Sequence, residues 1–204
     1  MFDLGGVVVA WEPDSIVANQ FSDPQIRATV RKEIIDHADW LELDRGTLSL
    51  EAAIVRGAER TGLSETAVRE FMRQVPGELT TVPETIDLMH RLKANGHILY
   101  CLSNMPFASI EHLEKTYSFW ELFAGKVISC RLNVCKPEAA IYEYLLKTYD
   151  LDAAHTVFID DIEANLTAAA QLGMQTIRFE SPTQCERELQ RLTGVGGGGS
   201  ERAI

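Results

Sequence analysis

The sequence predicts an α/β protein: a parallel sheet with helices on both faces, interrupted near its start by an inserted block of helices. Three observations carry this reading. From about residue 81 onward, helical stretches alternate with short apolar strands, the pattern of a parallel sheet covered on both sides. Between residues 14 and 80 the periodicity is helical, with four helices expected and no convincing strand. The chain opens "MFDLGGVVVAW", in which an apolar start closes on an acid, Asp3, where a strand should end.

The insert is bounded by helix signals. Asp23-Pro24 reads as an N-cap followed by proline at the first helical position, leading "QIRATVRKEIIDHA". Ser49 and Ser64 cap "LEAAIVRGAERTG" and "ETAVREFMRQ", and Gly62 stands where the first of these should stop. In the second half, helix "PETIDLMHRLKANG" precedes strand "HILYCLS", a helix over 107–116 precedes "GKVISC", and "PEAAIYEYLLKTY" precedes "HTVFID". Helix "EANLTAAAQLG" then leads to "MQTIRF", with a last helix over 183–192. The expected division is residues 1–13 and 81–192 as core, 14–80 as helical cap, and 193–204 as a Gly-rich tail.

Composition excludes several classes. Thirty acids against 19 Lys and Arg give a net charge of -11, a field that repels phosphate backbones and anionic lipid. No nucleic-acid or membrane partner is therefore expected, and no stretch approaches the roughly 20 apolar residues that span a bilayer. No charged-then-apolar leader opens the chain. Cys101, Cys130, Cys135 and Cys185 lack C-x-x-C spacing and read as reduced thiols of a cytoplasmic protein.

In parallel sheets of this kind, ligands bind outside the carboxyl ends of the strands. Reading those ends in order gives Asp3, Ser103-Asn104, Lys136 in the "CKPEAA" loop, and Asp160-Asp161. Each alone is an ordinary turn or cap residue. Together they supply what phosphoryl transfer needs. A carboxylate can attack phosphorus, a lysine adds positive charge, and a hydroxyl and an amide can hold phosphoryl oxygens. Paired acids can hold Mg²⁺, which removes the repulsion between a nucleophilic carboxylate and a phosphate.

The ordered motifs "FDLGGVVV", "CLSN", "CKPEAAIYEYLL" and "FIDDIEANLTAAAQLGM" resemble those of the haloacid dehalogenase-like hydrolase superfamily, in its branch with a helical cap between the first and second motifs. The resemblance runs from residue 1 to about 192 and implies a Rossmann-like core under that cap. It makes Asp3 the nucleophile and Lys136 its charge partner, with Ser103 and Asn104 on the phosphoryl group. It puts the metal, Mg²⁺, on Asp3, the Gly5 carbonyl and Asp161, and leaves Asp160 and Asn165 to support the lysine and the metal ligands. The substrate it implies is a small phosphorylated metabolite, and the "DLGG" form resembles phosphatases of sugar phosphates such as glucose 1-phosphate. The fourth motif resembles that of the phosphatase domain of soluble epoxide hydrolases.

Gly5 departs from the pattern, because the family's phosphatases usually carry an aspartate there as general acid and base. Glycine keeps the carbonyl and loses the acid, a handicap of about 10²–10⁴ in rate. Water or a cap residue is expected to shuttle the proton instead, with Glu12 and Asp14 the nearest candidates in sequence. Two other readings follow from the same motifs: a metal-independent 2-haloacid dehalogenase, and a catalytically silent protein that binds a phosphorylated ligand. Within "DHADWLELDRGTLS", Trp40 and Arg45 either face the substrate or serve the cap's own packing and surface. Only Met1 and Phe2 precede Asp3, and a tail placing Ala203-Ile204 ahead of Met1 would complete the short first strand.

Overall fold

The computed structural model describes residues 1–193; the placement expected for Ala203-Ile204 lies outside the described residues. Four strands, β1 (Leu99–Ser103), β2 (Phe123–Ile128), β3 (Val157–Asp160) and β4 (Gln175–Arg178), form two parallel pairs, β1 with β2 and β3 with β4. The N-terminus joins the pairs, because Phe2 bridges Cys101 on one side and Ile159 on the other. Phe2 donates to the Tyr100 carbonyl at 2.8 Å and Asp3 to that of Ile159 at 2.9 Å. The order is therefore β2, β1, the N-terminal segment, β3, β4. The chain turns one way for β1 and β2 and the other way for β3 and β4, so Asp3 stands at the crevice where strand order reverses.

Five α-helices occupy the insert rather than the expected four: α1 (Pro13–Gln20), α2 (Pro24–Val30), α3 (Ala38–Arg45), α4 (Leu50–Thr61) and α5 (Glu65–Glu78). The stretch after Asp23 reads as one helix in sequence, but α2 passes into a π-helical turn at Arg31–Ile35 and stops at Asp36. A new helix then starts behind His37, whose imidazole Nδ1 accepts from the Asp39 N–H as a cap. Asp23, Ser49 and Ser64 cap α2, α4 and α5 as their side chains predict. The insert buries its own core, with Val30, Ile34, Ile54, Val68 and Phe71 at its centre. Its two connections to the sheet lie side by side: Ala10 donates to Thr80 at 2.7 Å and Val82 to Val8 at 2.9 Å.

The core helices are α6 (Pro83–Ala94), α7 (Phe107–Thr116), α8 (Ser129–Leu132), α9 (Ala139–Thr148), α10 (Glu163–Gln171) and α11 (Pro182–Thr193). Alternating strand residues point to opposite faces. Phe2, Cys101, Ile159 and Ile177 pack with Leu88 and Met89 of α6, Ile110 of α7 and Leu189 of α11. Met1, Leu102, Val127 and Phe158 pack with Tyr142 of α9 and Leu166 of α10. Both faces being covered, the central strands β1 and β3 are largely apolar and end on the polar Ser103 and Asp160, whereas the edge strands β2 and β4 admit Lys126, Gln175, Thr176 and Arg178.

One joint fixes the insert against the core. Ser129, at the end of β2, donates its hydroxyl to the Asp44 carbonyl at 2.5 Å and accepts from the Met105 N–H at 2.9 Å. Asn133 donates to the Arg45 carbonyl at 3.0 Å. Gly46, which ends α3 at φ +78°, lies so close to α8 that a Cβ there would sit 2.5 Å from the Cys130 carbonyl. Ser129→Ala leaves a buried donor and a carbonyl unsatisfied, a cost of about 1–3 kcal/mol. A lowered thermal midpoint, with the far-UV circular dichroism spectrum unchanged, is the expected outcome.

Candidate active site

Asp3, Ser103, Lys136 and Asp160 converge, buried, at the carboxyl ends of the central strands, and Asp161 lies beside them. Asp3 follows Phe2, which pairs on both sides, and is itself held by its N–H on the Ile159 carbonyl; the chain then folds tightly, with Val7, Val8 and Val9 all donating to the Leu4 carbonyl. That turn needs Gly6, whose φ is +76° and whose Cβ would lie 2.6 Å from Asp161 Oδ2. Gly5 has room: a Cβ would meet only the Trp11 Cβ at 3.8 Å, with no left-handed φ. Among the described residues the Gly5 carbonyl accepts no hydrogen bond.

Lys136 joins two acids. Its Nζ lies 2.8 Å from Asp3 Oδ1 and 2.6 Å from Asp160 Oδ2, and 5.4 Å from the centre of the Phe158 ring. The Leu4 N–H also donates to Asp3 Oδ1 at 2.7 Å, so Oδ2 is the uncommitted oxygen of Asp3. Asp160 is fully engaged. Besides Lys136 it accepts from the Ile162 N–H at 2.8 Å and from Asn165 Nδ2 at 3.0 and 3.1 Å. Asn165 thus orients Asp160. Asp161 differs: its Oδ1 is buried and has no hydrogen-bond partner.

Carboxylate oxygens of Asp3, Asp160 and Asp161 lie within 4.8 Å of one another. Since Asp160 is saturated by donors, Asp3 Oδ2, Asp161 and the Gly5 carbonyl are the oxygens available to a hard cation, a donor set suited to magnesium. Burial pushes the Asp3 carboxyl up to about 7, with Lys136 opposing and the charge of Asp160 adding to the rise. Burial, and then Asp160, raise Asp161 as well. Burial alone would lower the Lys136 ammonium, but Asp3 and Asp160 outweigh it and hold it above its ordinary value.

Ser103 Oγ is buried without a hydrogen bond of normal geometry, yet is near enough to Asp3 to help favour its ionised form. It is a donor free for an incoming oxygen. The Asn104 side chain lines the same cavity as Asp3 and also holds the Lys136 backbone, Nδ2 donating to its carbonyl at 2.9 Å with one N–H to spare and Oδ1 accepting from its N–H at 2.8 Å. It fixes the lysine loop to the end of β1.

Four residues singled out in the first 45 resolve differently. Trp40 lines the cavity above Asp3, its ring 5.7 Å from that of Trp11, another wall residue. Arg45 does not reach the cavity and pairs with Glu138 at 2.6 Å instead. Glu12 and Asp14 are exposed, the first accepting from Ser15 and the second paired with Arg31 at 3.0 Å, so neither stands in for the missing acid. Sequence reading passed over Asp44. From the last turn of α3 it lines the same cavity as Asp3, Gly5 and Lys136, and burial, with Asp3 reinforcing and Lys136 opposing, pushes its carboxyl up to about 8. An acid at the end of a capped helix gives no sequence signal of this; only the fold brings it there.

The model of the haloacid dehalogenase-like hydrolase family matches residues 1–173, which include all of these residues. The chain belongs to that family. It is 28% identical over 194 residues to the sesquiterpene phosphatase astK of Aspergillus oryzae, covering 95% of each chain. It is 24% identical over 197 residues to a D-ribitol-5-phosphate phosphatase of Bacteroides thetaiotaomicron, covering 93% of this chain and 95% of that one. A family enzyme from Bacteroides thetaiotaomicron, solved in complex with magnesium and inorganic phosphate, superposes with a TM-score of 0.68 at 20% identity, over 88% of this chain and 92% of that one. The family's fold, with its Rossmann-like core and helical cap, is the architecture described above. No helix among the described residues is long and apolar enough to cross a membrane.

Two outcomes test this electrostatic description. Burial pushes the Asp3 and Asp44 carboxyls from 3.8 up to about 7 and about 8, so the metal-free fold binds more protons than the unfolded chain between those values. Stability due to these groups is therefore lost as pH rises towards 8. The thermal midpoint of the metal-free protein should fall from pH 5.5 to pH 8, the fall should shrink in Asp3→Asn, and Mg²⁺ should raise the midpoint more at pH 8. Gly6→Ala, which must displace Asp161, should weaken Mg²⁺ binding measured by calorimetry at least as strongly as it lowers stability.

Proposed function

We propose that this protein is a magnesium-dependent phosphatase that hydrolyses a small phosphomonoester through an aspartyl-phosphate on Asp3. The observation that carries the reading is the pairing of a lysine-held nucleophilic carboxylate with a buried, unpartnered carboxylate oxygen on Asp161. Asp3 Oδ2 attacks phosphorus while Lys136 holds Oδ1 and fixes the carboxylate's orientation. Ser103 donates to a phosphoryl oxygen, and Asn104 keeps Lys136 in place from behind. Magnesium, held by Asp3, Asp161 and the Gly5 carbonyl, would neutralise charge between the carboxylates and the phosphoryl oxygens. Asp160 and Asn165 act on Lys136 rather than on the substrate. The same residues support a small phosphorylated partner.

A dehalogenase has no use for a second carboxylate beside its nucleophile, and an uncompensated acid there is costly. A silent binding protein has no need of a nucleophile tuned by a buried lysine. The relatives include phosphatases of a sesquiterpene and of a sugar-alcohol phosphate, and the cavity wall favours the former class over the expected sugar phosphate. Trp11, Trp40, Leu79, Met105, Pro106 and Ile162 surround the approach to Asp3. A sugar's hydroxyls would lose water against that surface without regaining partners, whereas a hydrocarbon chain loses nothing.

The decisive assay offers p-nitrophenyl phosphate and chloroacetate, with magnesium and with chelator. Phosphate release that requires Mg²⁺ and is abolished by Asp3→Asn is the expected result; halide release without metal would replace the phosphatase reading by the dehalogenase one. Between substrates, kcat/KM should be at least about tenfold higher for a prenyl monophosphate than for glucose 1-phosphate, as apolar contacts of a few methylenes allow.

A further inference from the structure

We propose that Asp44, delivered by the cap, is the general acid and base of this site and does the work of the side chain that Gly5 lacks; the inference rests on the phosphatase reading above. Asp44 lines the cavity together with Asp3, Gly5 and Lys136, so it borders the same space as the nucleophile. Its carboxyl makes no hydrogen bond and no ion pair among the described residues, whereas Asp3 and Asp160 are tied to Lys136 and Asp161, the other acid with an unpartnered oxygen, is the one assigned above to the cation. A carboxyl set beside like charges and given no partner favours its protonated form.

Its backbone, by contrast, is tied down. The turn that carries it is anchored by Ser129 on the Asp44 carbonyl, by Asn133 on the Arg45 carbonyl, and by Arg45 on Glu138. Gly46 permits the close seat of that turn on α8. The result is an acid whose backbone is fixed beside the cavity and which belongs to the cap rather than to the loop after Asp3. A family acid at position 5 would sit on that loop; here the loop stays bare and the opposite wall supplies the group.

The chemistry balances. As Asp3 Oδ2 forms its bond to phosphorus, the bond from phosphorus to the ester oxygen breaks, and that oxygen takes the proton of Asp44 to leave as an alcohol. Asp44, now a carboxylate, then takes one proton from a water molecule whose oxygen bonds to phosphorus. The bond from phosphorus to Asp3 breaks, hydrogen phosphate leaves, and Asp3 and Asp44 return to their starting forms.

The test uses the dependence of kcat/KM, which reports the first displacement, on the basicity of the leaving alcohol. In Asp44→Asn the loss should be about 10²–10⁴-fold for an alkyl phosphate, whose alkoxide needs a proton, and far smaller for p-nitrophenyl phosphate, whose phenolate does not. The slope of log kcat/KM against leaving-group pKa therefore steepens. Gly5→Asp, for which there is local space, should restore alkyl phosphate turnover in the Asp44→Asn background. Equal losses for both substrates, which is also what misfolding would give, or no loss for either, would overturn the assignment. Failure of the unaltered protein to hydrolyse any phosphate ester would instead sink the phosphatase reading, so the two failures are distinguishable.

Discussion

The ammonium of Lys136, buried between Asp3 and Asp160, is the interaction on which the rest of the structure depends. Removing charges from water costs several kcal/mol per ion unless partners replace the lost solvation. Here one cation serves two carboxylates at 2.8 and 2.6 Å, and Asp160 takes further donors from Ile162 and Asn165. The accounting still leaves Asp161 and Asp44 in the same space with no positive neighbour in hydrogen-bond contact. A cluster with that deficit is tolerable when a cation or a proton completes it, and this site has room for one of each on different acids.

The sheet makes the cluster possible. Phe2 pairs with strands on both sides, so the residue after it emerges at the centre of the sheet with its backbone fully determined. β1 delivers Ser103 and β3 delivers Asp160, while Asn104 exchanges two hydrogen bonds with the backbone of Lys136 and so couples the lysine loop to β1. The acids are held apart by backbone constraint and held together by the lysine. Rigidity of this kind lets a carboxylate act as a nucleophile without reorganising when the substrate arrives.

Much of this was legible in the sequence. Apolar runs locate strands, strands locate their ends, and the ends named Asp3, Ser103, Asn104, Lys136, Asp160 and Asp161 before any coordinates. What stayed hidden depends on contacts between distant segments. The split between Asp160 and Asp161 was available only through the family resemblance; its physical basis, which oxygens find donors, needs the fold. The break at Asp36 depends on a π-helical turn and on a histidine cap, neither of which follows from apolar spacing. Asn104 reads as a ligand for phosphate because its amide could be one; that the same amide also ties down the Lys136 backbone shows only in the fold. Asp44 is invisible for the same reason, since nothing around it distinguishes it from the other acids of its helix.

The paired connections between sheet and insert have an evolutionary side. Because residues 10 and 80 are hydrogen-bonded neighbours, the sheet experiences everything between them as a loop whose ends already meet. Lengthening or replacing such a loop costs little in closure entropy. The walls around the approach can therefore drift from one descendant to the next while the sheet's own residues stay unchanged, so long as the turn that carries Asp44 keeps its seat on α8.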